Sequence, residues 1–271
     1  MPKPPLVTPA KTAARTFKDF VEQASPPLPK LLPLVHMTDA LGAREILTSN
    51  KIEARNCRHF SSLLDADEPL SFFFYGRAAY RPRINSPSKN GATLPVALVI
   101  AFDPANHPIR RIFPFDTGAA FEKMYSPFIH ERMSVMDFFL GDKIDAAQKT
   151  VATFFETNEN YSNDKPLSTI SHDPAEFEVD NYINMIRSTA NSPLDDRKSS
   201  IEIQFQEVID LTKTKILEVV IPESLMQSNM YMTLLAAHGV KPTPYVMTRG
   251  STSEYDGVLI SEYTKLLRAH L

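Results

Sequence analysis

The stretch Leu70-Ser-Phe-Phe-Phe-Tyr-Gly-Arg77 decides the expected fold, because a run of aromatic residues is followed directly by a glycine and an arginine. Aromatic side chains favour strands and bury large apolar areas, so the first six residues predict a buried β-strand. Gly76 lets the backbone approach its neighbours closely at the end of that strand. We therefore expect a core strand that ends in a cationic segment.

The other apolar runs are typical of a mixed arrangement of strands and helices. Residues 94–102 form a continuous apolar run with β-branched members, which indicates a strand buried on both faces. Further strands are predicted at 34–37, 109–115, 200–208, 215–221, 245–248 and 257–260. Helices are predicted at 13–23, 39–47, 147–155 and 179–186, and two more are predicted, one that ends at about 238 and one that begins at 261. The irregular order of these elements favours an α+β fold over a regular βαβ series.

Twenty-two prolines among 271 residues, several of them near the N-terminus, indicate how the chain is divided. Residues 1–30 are predicted to form a proline-rich N-terminal arm with a short helix, and the folded body is expected to start near Leu31. Residues 31–271 are predicted to form a single domain, in which about 121–195 are a mainly helical insertion.

The composition excludes several classes of protein. Twenty-nine Lys and Arg against 32 Asp and Glu give a net charge of −3, so no overall basic field attracts nucleic acid. A single cysteine, Cys57, excludes an internal disulfide framework and a cysteine-rich metal site. The apolar runs are too short to span a bilayer and the N-terminus lacks an apolar signal-peptide core, so we expect a cytoplasmic protein without a membrane partner.

Familiar nucleotide-binding and hydrolase motifs are absent from the sequence. It contains no G-x-G-x-x-G after a predicted strand, no P-loop, no G-x-S-x-G and no H-E-x-x-H. The usual phosphate cradles, serine hydrolases and zinc proteases are therefore disfavoured, and no motif requires a metal.

Three segments carry side chains suited to chemistry. His36 and Thr38 lie at a strand-to-helix junction, where a lone histidine is more often a structural hydrogen-bonding group than a catalytic one. Strand alternation in 200–205 places Glu202 on the polar face, which either faces solvent or points into a cleft.

The third segment is cationic and phenolic, and it follows the aromatic strand. It contains Tyr75, Arg77, Tyr80, Arg81 and Arg83. Arginine forks are the preferred bidentate partners of phosphate, whereas composition alone equally allows a solvated basic turn.

Taken in order from about residue 34 to 221, these segments resemble the ADP-ribosyltransferase superfamily, and specifically the DarT-like enzymes that attach ADP-ribose to DNA. His36-Met-Thr38 resembles the family's opening His-x-Thr motif, and the strand that ends in Tyr75-Gly-Arg77 resembles the one that carries its catalytic arginine. Asp116-Thr-Gly-Ala119 resembles its Asp-Gly-x-Ala turn, and Ile201-Glu-Ile203 resembles the strand that bears its catalytic glutamate.

This resemblance implies a split β-sandwich around an NAD cleft, with NAD as the substrate and no metal. It implies catalytic roles for Glu202 and Arg77 and cofactor contacts from His36, Thr38, Tyr75, Arg77 and Tyr80. The chain departs from the family pattern next to the arginine, because Gly76 replaces the usual proline and Ala78 and Ala79 replace the proline and methionine that usually follow.

The sequence indicates less directly which molecule accepts the ADP-ribose. DarT-like relatives modify nucleic-acid bases, and Arg81, Arg83, Arg110 and Arg111 are candidates to guide a phosphate backbone. The net charge of −3 argues mildly against DNA as the acceptor, so a protein acceptor, RNA or simple NAD hydrolysis stays open. The resemblance further implies toxin or phage-defence biology with a neutralising antitoxin. The alternatives from another class are a non-catalytic NAD-binding module and a plain nucleic-acid-binding protein.

A second acidic residue competes with Glu202 for the catalytic role. Ser251-Thr-Ser-Glu254 echoes the Ser-Thr-Ser motif of arginine-modifying ADP-ribosyltransferases, but there the catalytic acid lies on a separate, later strand. We therefore interpret this segment as a polar turn.

Removal of residues 1–9 is expected to change the melting temperature little, because their proline content and lack of apolar periodicity make them poor contributors to a core. Thermal unfolding of the truncated and full-length chains checks this. A loss of several degrees would show that the arm packs on the body or completes an oligomer interface.

Overall fold

A computed structural model describes residues 15–56, 68–79, 91–189, 196–246, 252–268 and 271. The strands are β1 (Leu34–Asp39), β2 (Lys51–Ile52), β3 (Arg55–Asn56), β4 (Pro69–Tyr75), β5 (Pro95–Ile100), β6 (Arg111–Phe113), β7 (Glu202–Phe205), β8 (Ile209–Asp210), β9 (Ile216–Pro222) and β10 (Thr243–Tyr245). The α-helices are α1 (Phe17–Ala24), α2 (Ala40–Ser49), α3 (Thr117–Phe121), α4 (Ile144–Phe155), α5 (Asn158–Ser162), α6 (Phe177–Arg187), α7 (Asn229–Ala237) and α8 (Thr252–Leu267).

Hydrogen bonds join most of these strands into one mainly antiparallel sheet. Its order is β10-β9-β5-β1-β4-β7-β6, with β3 paired to β4, and β2 and β8 form a separate small ladder. Within this sheet β10 and β9 run parallel, while the other described pairs are antiparallel. The α+β class expected from the sequence is confirmed.

The core lies on both faces of the central strands. Every residue of β5 is buried, as the continuous apolar run predicts, because β1 and β9 flank it and α2 and α8 pack against it. Helix α8 contributes Leu259, Tyr263 and Leu267 to this core, at the spacing of one helical face.

The N-terminal helix α1 belongs to the packed body, which differs from the expectation that the body starts near Leu31. The ring of Phe17 is fully buried, and its centroid lies 5.4 Å from Phe138, 5.8 Å from Phe154 and 5.3 Å from Tyr182. The prolines that follow α1 favour an arm separate from the body, but the contacts among these aromatic rings stabilise the helix against the body. Residues 1–9 lie outside the described residues.

The described part of 121–195 contains helices joined by turns and irregular segments. Helices α4, α5 and α6 lie there, and the apolar stripes predicted at 147–155 and 179–186 are their buried faces. None of the described helices is both long and apolar enough to cross a membrane.

The C-terminal prediction was wrong in two places, and α8 explains both. Residues 257–260 form part of this helix and not a strand, because their apolar side chains share its spacing with later residues up to Leu267. The segment predicted as a polar turn forms the first turn of the same helix from Thr252 onward. Serine, threonine and acidic residues favour helix N-termini as well as loops, so the composition allowed both outcomes.

Phe17→Ala is expected to lower the free energy of unfolding by about 3–5 kcal/mol, because it opens a cavity in the aromatic cluster. Phe177→Ala is the matched control, since that ring is 59% exposed. Urea unfolding of both variants measures the difference. Equal, small effects would contradict the packing of α1 in the core.

Candidate functional site

A buried carboxylate at the start of β7 is the best-defined polar group of the sheet. Glu202 is 2% exposed, and its Oε1 accepts hydrogen bonds from Thr117 Oγ1 at 2.7 Å and from Gln204 Nε2 at 2.6 Å. Its Oε2 accepts from the backbone N–H of Thr117 at 3.1 Å. Donors from two different segments therefore fix the carboxyl plane.

The strand register explains why this carboxyl is so strongly desolvated. Glu202 pairs with Phe74 on β4 and with Phe113 on β6, and partnered side chains in antiparallel strands lie on the same face. Two buried aromatic rings thus flank the carboxyl. Asp116 caps the N-terminus of α3 by accepting from Ala119 N, and this cap places Thr117 beside Glu202.

The environment raises the pKa of Glu202 to about 8. Burial is the main cause, because it penalises the charged form, and the neighbouring carboxylate of Asp116 adds to it. The hydrogen bonds from Thr117 and Gln204 act in the opposite direction, since they favour the ionised form. A proton is therefore exchanged at this carboxyl close to neutral pH, as general acid–base chemistry requires.

Arg77 lies in a second buried polar cluster. Its Nη1 donates to Ser199 Oγ at 2.6 Å, its Nη2 lies 3.2 Å from Asp164 Oδ1 and its Nε lies 3.9 Å from Asp196 Oδ2. The guanidinium also stacks 4.8 Å from the ring centroid of Tyr161. Only 4% of Arg77 is exposed.

Carboxylates dominate the electrostatics of this cluster. Burial alone would lower the pKa of Arg77, but Asp196 and Asp164 outweigh it and raise the pKa. The guanidinium is therefore held charged and already has anionic partners. An incoming phosphate would have to exchange with one of these carboxylates.

Gly76 explains the departure from the family pattern before Arg77. Its φ is +65°, and a Cβ there would collide with the side chain of Leu32. Proline is locked near φ −65° and cannot adopt this turn. The chain therefore leaves β4 in a direction that glycine alone readily permits.

His36 and Thr38 lie on the other face of the sheet from Glu202. Val35 pairs with Phe74, which pairs with Glu202, so alternation turns His36 away from this face. The histidine ring packs against Phe73, and its Nδ1–H donates to the carbonyl of Phe72 at 2.9 Å.

The contacts that His36 and Thr38 make within the protein are typical of residues with a structural role. Burial lowers the pKa of His36, so its imidazole is neutral at pH 7. The hydroxyl of Thr38 packs against Gly42 at the start of α2. Because alternation separates them from Glu202, the structure does not join all the sequence-predicted residues in one cluster.

Tyr75 is fully buried, which differs from its expected contact with the cofactor. Its hydroxyl accepts from the backbone N–H of Leu32 at 3.1 Å, and burial raises its pKa to about 12. The alternation of β4 turns the ring into the core, so it presents no face to a ligand. The predicted residues Tyr80, Arg81 and Arg83 lie outside the described residues.

Arg110 and Arg111 share one carboxylate. The Nε of Arg110 lies 2.5 Å from Glu68 Oε1, and the Nη2 of Arg111 lies 2.6 Å from Glu68 Oε2. Arg110 is about half exposed, whereas Arg111 is buried. Arg110 is therefore the better placed of the two for a contact with an exterior phosphate.

The sequence did not predict the partners of Glu202 or of Arg77. Those of Glu202 are Thr117 and Gln204; those of Arg77 are Tyr161, Asp164, Asp196 and Ser199. Thr117 lies in the Asp-Thr-Gly-Ala turn that the sequence already singled out, and Gln204 shares the alternating face of Glu202. Asp164 had no signal at all. Asp164 lies just after α5 with a φ of +51°, a left-handed conformation that aspartate tolerates.

Within the described ranges, no group of three His, Cys, Asp or Glu side chains is arranged to hold a metal.

The raised pKa of Glu202 predicts a stability that depends on pH. Since the folded protein holds this proton up to about pH 8 and the unfolded chain releases it near 4.5, the free energy of unfolding should fall between these values as pH rises. Glu202→Gln should remove that part of the fall, while Glu131→Gln makes the same change at an exposed position. Urea unfolding of the three proteins from pH 4 to 9 tests this. A constant difference between wild type and Glu202→Gln over the whole range would contradict the shift.

Comparisons with known proteins give one structural neighbour to set beside this geometry. No protein-family model and no curated protein matches the chain. Among solved structures, the chain is similar to Thermus sp. 2.9 DarT in complex with NAD+, with 11% sequence identity and a TM-score of 0.37. The similarity covers 81% of this chain and 96% of that one.

Proposed function

We propose that this protein is an NAD-dependent ADP-ribosyltransferase that transfers ADP-ribose to a nucleic-acid base. The observation that carries the proposal is Glu202, a buried and rigidly held carboxyl whose pKa is raised to about 8. It lies on the strand whose sequence resembles the glutamate strand of this superfamily.

The chemistry requires such a group. The bond between C1′ of the ribose and the nicotinamide nitrogen breaks, nicotinamide leaves with the bonding electrons, and positive charge develops on the ribose as in glycoside hydrolysis. A carboxylate stabilises that charge, and it then takes the proton that the acceptor loses as its bond to C1′ forms. The cationic nicotinamide ring of NAD would itself favour the ionised form of Glu202 by Coulombic attraction.

Arg77 is proposed to orient the cofactor through its pyrophosphate or ribose. Its guanidinium is held charged in a fixed position by Asp164 and Asp196. A bidentate phosphate contact would replace the longer of these ion pairs, the one to Asp196 at 3.9 Å. His36 and Thr38 remain proposed contacts for the ribose, and Tyr80 for the cofactor.

A nucleic-acid acceptor is supported by the charge at the β6 edge. Among the described residues, Arg110 and Arg111 both pair with the carboxylate of Glu68, and the guanidinium of Arg110 is about half exposed. Arg81 and Arg83 remain proposed contacts for the phosphate backbone of the acceptor. A protein acceptor or water is the alternative. A role as a toxin or phage-defence effector, with a neutralising antitoxin, belongs to the same proposal.

One observation favours a second candidate, a non-catalytic NAD- or nucleic-acid-binding module. The guanidinium of Arg77 already contacts two carboxylates and a hydroxyl, so it has a complete structural role without any ligand. Such a module would bind NAD without releasing nicotinamide, or would bind nucleic acid with an affinity that is indifferent to NAD and falls steeply with salt.

Glu202→Gln is expected to keep the fold and the affinity for NAD but to lose about 10²–10³-fold in the rate of nicotinamide release, because a neutral amide cannot stabilise positive charge or accept a proton. Arg77→Ala should weaken NAD binding as well as turnover. Calorimetric NAD binding and nicotinamide release are measured for each variant, with circular dichroism to confirm folding.

Glu254→Gln is the control and should be close to wild type. An active Glu202→Gln beside an inactive Glu254→Gln would move the catalytic acid to α8 and overturn the assignment. Intact-mass analysis of mixed DNA, RNA and protein acceptors after incubation with NAD identifies the acceptor. Binding of NAD without nicotinamide release by the wild type would favour the module.

A further inference from the structure

The two oxygens of the Glu202 carboxyl have unequal surroundings. Oε1 accepts two hydrogen bonds, at 2.7 Å from Thr117 Oγ1 and at 2.6 Å from Gln204 Nε2. Among the residues that the structure describes, Oε2 accepts one, at 3.1 Å from the backbone N–H of Thr117. The side-chain donors thus converge on one oxygen.

Two side-chain hydrogen bonds therefore anchor one carboxyl oxygen, while the other oxygen can still accept a proton or a further donor. A carboxylate oxygen has two lone pairs in the plane of the group. Both lone pairs of Oε1 are engaged, and its two contacts are the shorter ones. Oε2 retains a lone pair, so a proton or a donor group added to this carboxyl has its place at Oε2.

We propose that Thr117 and Gln204 are positioning residues, which anchor Oε1 of Glu202 and leave Oε2 as the oxygen that exchanges the proton. Their effect on turnover rests on the proposed function. The hydrogen-bond arrangement itself is a property of the folded protein, and it can be tested without NAD.

The fold holds the side chains of Thr117 and Gln204 in fixed positions. Thr117 is fully buried and is the first residue of α3, where the cap by Asp116 fixes its backbone. Gln204 is also fully buried, and its Nε2 lies 3.4 Å from Thr117 Oγ1 as well. The three polar side chains therefore form one closed triangle on one face of the sheet.

Charged neighbours from the adjacent elements define the electrostatics of this triangle. Asp116, at the start of α3, raises the pKa of Glu202 together with burial. Arg111 on β6 pairs in register with Gln204, but its guanidinium is engaged with Glu68. The hydrogen bonds from Thr117 and Gln204 thus oppose burial and Asp116, and they set how readily Oε2 gives up its proton.

The test is a titration of the Glu202 carboxyl by NMR in protein with ¹³C-labelled glutamate, without NAD. The resonance is assigned by its loss in Glu202→Gln. Thr117→Val removes the hydroxyl donor and keeps the backbone N–H, so Glu202 should bind its proton roughly tenfold more tightly than in wild type. Gln204→Leu should act in the same direction, and Thr117→Ser should restore the wild-type titration.

Thr153→Val is the matched control, because that threonine is also buried but its hydroxyl has no hydrogen-bond partner among the described residues. The titration of Glu202 should not change in this variant. A titration in Thr117→Val and Gln204→Leu that coincides with wild type would overturn the proposal, whatever the melting temperatures. This result does not depend on whether the protein turns over NAD.

Turnover gives the second readout. In Thr117→Val, the kcat for nicotinamide release should fall about tenfold with little change in the KM for NAD, and its pH profile should move with the titration of Glu202. A wild-type protein that releases no nicotinamide would contradict the proposed function and leave the titration result standing. A pH profile that stays in place while the titration moves would overturn the positioning role in catalysis.

Discussion

The antiparallel pairing of β4 with β7 is the constraint on which the candidate site depends. It aligns Phe74 with Glu202, and it brings Arg77, which follows β4, against Ser199, which precedes β7. A slip of this register by one residue would turn Glu202 to the opposite face, away from Thr117. One strand pair therefore positions both ionisable groups.

Burial of charge has consequences for stability as well as for chemistry. A charged group removed from water costs several kcal/mol unless close partners compensate, and Arg77 is almost completely buried. Glu202 is buried to a similar degree, and it avoids much of this cost because its pKa is raised to about 8 and it holds its proton at neutral pH. Asp164 and Asp196 compensate the charge of Arg77, and they lie before and after α6 in the chain. The cluster thus ties these parts of the chain to the sheet, and loss of one carboxylate would leave the guanidinium poorly paired.

The strands were largely predictable because their signals are local. The aromatic run at β4 and the continuous apolar run at β5 each carry their pattern within a few residues. The C-terminal part of helix α8 was predicted, but its N-terminal part was missed because Val258 and Ile260 resemble a strand when read alone. Its helical face becomes visible only when residues up to Leu267 are included, and the burial of α1 likewise depends on aromatic partners more than a hundred residues away.

For the candidate site, the order of residues along the chain determined which chemistry is present and which groups share a face. It placed Arg77 directly after a buried strand, and it placed Glu202 and Gln204 together by alternation. Only the tertiary structure decided what these groups contact. Thr117 donates to Glu202 across 85 positions of sequence, Asp164 occupies the fork of Arg77, and His36 faces away from the carboxyl. The reason is physical: side-chain identity and alternation are local properties, whereas burial and hydrogen-bond partners depend on strand register and long-range packing.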